Sequence, residues 1–359
     1  MAAKLLKNLF RRKRVGSRKR KTAGFTLLEL LISMIVAGLV ITILLNLVID
    51  LLQTDRREYA RTETQREMQM AMDFIVNDVR EAVYVYDNNR LNGTVDGVPA
   101  LRNFLPAFPS GFEPVLALWR PEAIDDSQLP TGCNLPQPTN PSLEWTKCRN
   151  LRVKRRIVTL VVYLQAVNPP NDPRWKGISR IMRYELRQYD IRNSGTINVN
   201  NETPGYVEPL TTEGVEFKIW PYAREGTSGV VNKQLGRPAD QNRPVLVDFV
   251  DFPTQARRDN LNAPAAPTCP VTTSNYTLSP PPGNPSGFDV PSFAACVSSA
   301  NAIAGTATGG GGSEQTSNQD VIVFIRGNPT GKAGVKVAPL LSIRTQAVAR
   351  GVVNKTPVD

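Results

Sequence analysis

The chain has 359 residues, 41% of them apolar and 21% charged, enough for one large or two modest globular units. It contains no histidine, which excludes Ser-His-Asp and Cys-His catalysis and His-bound zinc within this chain. The formal net charge of +11 belongs to the first segment: ten of the 43 Lys and Arg fall in residues 1–24, where no acidic residue occurs, and the remainder is close to neutral.

A membrane signal follows the basic segment. From Phe25 to Ile49 the only charge is Glu29, and Leu30 to Ile49 is broken only by the mild polarity of Ser33, Thr42 and Asn46. At about 1.5 Å per residue this run covers about 30 Å, the thickness of a bilayer's hydrocarbon core. It leads into Asp50, Gln53, Asp55 and Arg56 rather than into the small residues of a secretory cleavage site. Positive charge ahead of the span predicts a cytoplasmic N-terminus, a single pass through the inner membrane and a periplasmic head. A plain anchor explains that topology but not Glu29, since a carboxylate costs roughly 2.5–3.5 kcal/mol at the centre of an inserted helix and less near its end. Either it reaches back to the headgroups, or another chain brings it a cation.

The residues around that carboxylate are specific. Lys21, Thr22, Ala23, Gly24, Phe25, Thr26, Leu27, Leu28 and Glu29 resemble the processing site of type IV prepilins and pseudopilins. The resemblance implies that prepilin peptidase cuts between Gly24 and Phe25 and methylates the new amine of Phe25. Glu29, fifth after the cut, would then neutralise that amine on a neighbouring subunit. Each charge alone resists burial, whereas the pair can enter a filament core and set the register. Glycine before the scissile bond leaves the backbone unobstructed for the peptidase. Major pilins often carry proline at the twenty-second mature position; here that residue is Asn46, and Gly38 is the only marked helix breaker in the span.

The helix is expected to continue past the membrane. Residues 53–83 lack proline and glycine, set Glu58 against Arg61 and Glu63 against Arg66, and place Met68, Met72, Ile75 and Val79 on one stripe. That stripe predicts a core seam. The domains expected are therefore a cleaved leader (1–24), a transmembrane assembly helix (25–52), its amphipathic continuation (53–83) and a β-rich head (84–359). Within the head, strands are expected at Val115–Trp119, Ile157–Gln165, Ile178–Gln188, Val215–Pro221, Val245–Phe249, Asp320–Arg326 and Leu340–Val348, between turns rich in Pro, Gly and Asn. A long helix packed on an antiparallel sheet is an α+β, pilin-like fold. Residues 261–319, with no Lys or Arg, Pro280 to Pro282 in a row and a tetraglycine at 309–312, read as a long excursion with little regular structure.

Four cysteines lie on the outward side. Their spacing is too wide for a CxxC motif, and an oxidising periplasm suggests Cys133 with Cys148 and Cys269 with Cys296, among three possible connectivities. The basic run Lys147, Arg149, Arg152, Lys154, Arg155 and Arg156 reads as a solvated edge beside a strand rather than a surface for DNA, an acidic polysaccharide or a subunit. Trp119, Trp145, Trp175 and Trp220 read as core residues rather than a sugar-binding surface. An enzyme would have to use carboxylates such as Asp125 and Asp126 or Glu213 and Glu216, which read as loop and strand-edge charges. No metal or cofactor is expected.

A weaker resemblance extends beyond the N-terminus. Met70 to Asp87, Pro114 to Arg120 and Ile178 to Arg187 are similar to pseudopilins of cyanobacterial hormogonium polysaccharide secretion. This implies a non-catalytic filament subunit supporting polysaccharide export and gliding motility. Its partners would be prepilin peptidase, other pilins or pseudopilins, a platform protein, a cytoplasmic ATPase, membrane lipid and the exported polymer. Nucleic acid is not expected. The alternative is a minor pilin of a type IV pilus or type II secretion system with an adhesive or DNA-binding role, for which binding should be salt-dependent and abolished by neutralising residues 147–156.

Overall fold

The computed structural model describes residues 24–130, 138–189, 195–226, 229–240, 243–252, 265–270, 276–281, 291–299, 318–336 and 339–349. The basic leader, Cys133 and the tetraglycine lie outside the described residues. Helix α1 (Leu27–Glu81) has 55 residues, and the chain divides into two compact units at Asp55 and Arg56, within that helix.

In the first unit the helix buries nothing: from Leu27 to Leu52 its apolar side chains are exposed. Its hydroxyls are satisfied internally, Ser33 donating to the Leu30 carbonyl at 2.9 Å and Thr42 to that of Gly38 at 2.8 Å. A segment with no unpaired polar group of this kind is suited to lipid. The helix runs without a break through Gly38 and Asn46.

The second unit is the α+β head expected from the sequence. Its strands are β1 (Tyr84–Tyr86), β2 (Phe112–Ala123), β3 (Arg156–Val167), β4 (Ser179–Leu186), β5 (Tyr222–Glu225), β6 (Gly229–Asn232), β7 (Val245–Val250), β8 (Tyr276–Ser279), β9 (Phe293–Ser298), β10 (Asp320–Gly327) and β11 (Leu341–Val348). Nine of them form one antiparallel sheet in the order β1-β2-β3-β4-β7-β10-β9-β8, with β11 also on β10, while β5 and β6 form a separate hairpin. Two short helices, α2 (Asn88–Asn92) and α3 (Leu143–Lys154), lie in the connections.

Both faces of the sheet are covered. The stripe of Met68, Met72, Ile75 and Val79 packs with Leu116, Tyr163, Ile181 and Val323 in one core. The helix approaches β10 closely at Gly327, where an added Cβ would stand 2.3 Å from the Met68 sulfur and 3.1 Å from Thr64 Cγ2. The other face packs Tyr86, Trp119, Leu160 and Trp220 in a second core, with the two indoles edge to face at 5.4 Å. Double coverage explains why β3 reads as a nearly continuous apolar run instead of an alternating one.

One carboxylate interrupts the first core. Asp78, 3% exposed on α1, accepts hydrogen bonds from Arg120 of β2 at 2.6 Å, Tyr163 of β3 at 2.5 Å and Arg183 of β4 at 2.8 Å. Four elements thus meet on one buried charge with both of its oxygens hydrogen-bonded, the condition under which such a charge is tolerated. Burial first, and the Asp78 carboxylate second, push the Tyr163 phenol well above its ordinary pKa, so it remains a donor.

Three expectations are corrected. Residues 215–221 form no strand: Val215, Phe217 and Ile219 are buried in alternation, but the segment turns and contributes to the layer over the second core. An alternating pattern reports one buried face, not a partner strand. Residues 261–319, expected to hold little regular structure, contribute β8 and the wholly buried β9, which pair within the sheet. The basic run does not flank a strand for most of its length: Lys147 to Lys154 belong to α3, capped by the Ser142 hydroxyl accepting from the Trp145 amide at 3.1 Å. Cationic residues in its last turn favour the negative end of the helix dipole.

Cys269 and Cys296 form a disulfide that ties residues 265–270 to buried β9. Cys148 is buried and disulfide-bonded, while Cys133, its expected partner, lies outside the described residues.

Candidate processing and assembly site

Residues 24–26 are not helical, and α1 begins only at Leu27. Thr26 stops the helix from extending further back: its hydroxyl accepts from the Glu29 amide at 3.3 Å, and its carbonyl accepts from the Leu30 amide at 3.1 Å. Thr-Leu-Leu-Glu is the T-x-x-E pattern of a helix start, with the acidic residue at the positive end of the dipole. The Gly24–Phe25 peptide bond therefore lies in open, non-helical backbone. Among the described residues nothing lies within 4 Å of where a Gly24 side chain would begin, and Phe25 is 73% exposed.

Glu29 stands in the first helical turn, four residues after Phe25, and is exposed. No basic residue follows it before Arg56, so within the span its charge has no cation from its own helix. The span has a mean hydropathy of 2.7 over its most apolar 18 residues and is the one helix among the described residues long and apolar enough to cross a membrane.

The prokaryotic N-terminal methylation motif matches residues 19–45, a window that contains Gly24, Phe25, Glu29 and most of the apolar run. The match supports a type IV pilin-like protein. The motif indicates processing by prepilin peptidase and assembly with other pilins, and the long apolar helix fits a membrane-anchored pilin. No curated protein and no solved structure matches the chain.

In the pilin-like head, the remaining sequence candidates separate from one another. Trp119 and Trp220 are core, as expected, but Trp145 and Trp175 are half-buried beside arginines, Arg149 at 5.1 Å and Arg180 at 5.7 Å from their ring centres. Asp125 caps a short helical turn, and Asp126 pairs with Arg155 at 2.8 Å. Glu216 pairs with Arg224 at 3.1 Å, and Glu213 is exposed. These carboxylates are not brought together. Among the described residues no group of three or more His, Cys, Asp and Glu is placed to hold a metal.

Two features escaped the sequence reading. The capping role of Thr26 has a local signal, the T-x-x-E pattern that overlaps the cleavage motif. The Asp78 hub had a fainter signal, a carboxylate at the edge of the stripe running from Met72 through Ile75 to Val79.

Proposed function

We propose that this chain is a structural subunit of a type IV pilus-like filament. It inserts with its head outward, is cut between Gly24 and Phe25, and is N-methylated at Phe25. A platform protein and a cytoplasmic ATPase then draw it from the bilayer into the filament. The observation that carries this reading is the coincidence of the methylation motif with an exposed, non-helical Gly24–Phe25 bond set by a cap before an unbroken apolar helix. In the assembled state Glu29 of one subunit neutralises the Phe25 amine of the next, which removes the cost of two unpaired charges in a low-dielectric core. The system served is polysaccharide export for gliding motility, a reading supported by the likeness of Met70 to Asp87 and of the β2 and β4 segments to that class of pseudopilin. The role is architectural, without chemistry of its own.

Intact mass spectrometry of the membrane-extracted protein tests the processing step. The expected mass lacks residues 1–24 and carries one added methyl group. A full-length mass in cells with active prepilin peptidase contradicts it. Loss of polymer export with retained membrane insertion, on deletion of the gene, is the expected result for the export role; unchanged export would remove it.

A further inference from the structure

A cleft of about 1090 Å³ lies in the head, between α3 and the segments 202–212 and 233–235. Four basic residues of its wall, Lys147, Lys154, Arg156 and Lys233, differ in their pairing. Lys147 is held by Glu202 at 2.9 Å and Lys233 by Glu225 at 2.7 Å. Lys154 and Arg156 are exposed and have no ion-pair partner among the described residues. The cleft's other carboxylate, Glu208, is occupied by the Tyr206 hydroxyl at 2.8 Å and the Leu210 amide at 3.2 Å. With Lys147 and Lys233 paired, the cavity keeps a balance of one positive charge, Lys154 and Arg156 against Glu208, whose oxygens are turned to its own Tyr206 and Leu210.

The rest of the lining narrows the ligand. Asn150, Gln188, Thr203, Thr211 and Thr212 supply amide and hydroxyl groups that donate and accept. Val153 and Leu235, 75% and 100% exposed, provide aliphatic shelves at the rim. Aromatic faces for base stacking are lacking, since Tyr206 and Tyr189 are buried and the Tyr206 hydroxyl is also bonded to the Val158 carbonyl at 2.7 Å. Single-stranded nucleic acid depends on such faces to stack its bases. Nor does β3 offer a long open edge for a peptide to extend: it is paired with β2 along its length and with β4 from Leu160 onward, and at the cleft the Val158 carbonyl is taken by the Tyr206 hydroxyl.

We infer that this cleft binds an acidic oligosaccharide, its carboxylates at Lys154 and Arg156, its hydroxyls on the Asn, Gln and Thr side chains and its C–H faces on Val153 and Leu235. The site belongs to the head alone, so its failure would leave the filament reading standing, and failure of processing would leave the cleft untouched.

The test is titration of the full-length protein in nanodiscs with oligogalacturonate, a carboxylated probe, against dextran oligomers of equal length and oligo-dT. Oligogalacturonate should bind and weaken as salt is raised. The double substitution Lys154→Gln with Arg156→Gln should lower its affinity by about tenfold or more, as should Leu235→Asp, which sets a repelling charge at the rim. Both changes are at exposed positions, so an unchanged unfolding midpoint is expected. Dextran or oligo-dT bound as tightly as oligogalacturonate, wild-type affinity in both folded variants, or no binding of oligogalacturonate would each overturn the inference.

Discussion

The two units of this chain treat apolar surface in opposite ways. From Leu27 to Leu52 every large apolar side chain is exposed, whereas in the head both faces of the sheet are covered, and even Asp78 is buried with its partners supplied. The head is completed by its own sequence. The first unit is completed by its surroundings, lipid before assembly and, in the proposed filament, other subunits. A charge within each unit makes the contrast concrete: Asp78 finds three donors in its own head, while Glu29 has no cation on its own helix within the span.

That contrast can be broken most forcefully at Asp78. Asp78→Ala leaves Arg183 buried with one of its partners gone, and a loss of about 3–5 kcal/mol is expected from removing one side of a buried pair. Chemical denaturation of the full chain in detergent should show the head unfolding at lower denaturant, while membrane insertion is unaffected. A midpoint equal to wild type would mean that the hub does not hold helix to sheet.

Removing the Cys269–Cys296 bond by paired Ser substitutions should cost the head about 3–4 kcal/mol, from the chain entropy of a loop with a sequence separation of 27. Equal denaturation midpoints under oxidising and reducing conditions would contradict this. The head should also weaken in alkali. Burial raises the pKa of Tyr86, Tyr163 and Tyr206 above that of an unfolded phenol. The native state therefore holds protons that the unfolded state releases from about pH 10 upward, and stability is complete below that value and declines above it. Stability flat from pH 9 to pH 11.5 would show that these hydroxyls are not sequestered.

The smallest effect belongs to the first unit. Thr26→Ala removes a cap worth about 1 kcal/mol, which should let the first turn fray without moving the head's unfolding midpoint. Faster amide exchange at residues 27–30 alone is the expected readout. Exchange unchanged there would remove the cap from the account.

What could be read from the sequence divides along the same line. The span, the motif around Gly24 and the Met68 to Val79 stripe were legible because length, charge and a 3.6-residue period are local properties. β9 was hidden because its short apolar run, Phe293 to Cys296, sits in Pro- and Gly-rich surroundings that dominate any composition window. Residues 215–221 misled for the opposite reason, a faithful alternation that meets another strand at one residue only, Val215 opposite Ala223 of β5. The cleft beside α3 was invisible, since it joins Lys154 and Arg156 to Thr211 and Leu235, far apart in the chain, and only the fold brings them together.

The central claim concerns the Glu29 charge, which has no cation on its own helix within the span. Filament incorporation of Glu29→Gln, measured against membrane insertion and leader removal in the same cells, tests it most directly. Insertion and processing at wild-type levels with incorporation reduced by about tenfold or more, equivalent to about 1.4 kcal/mol per subunit contact, is the predicted result. Incorporation equal to wild type would contradict it.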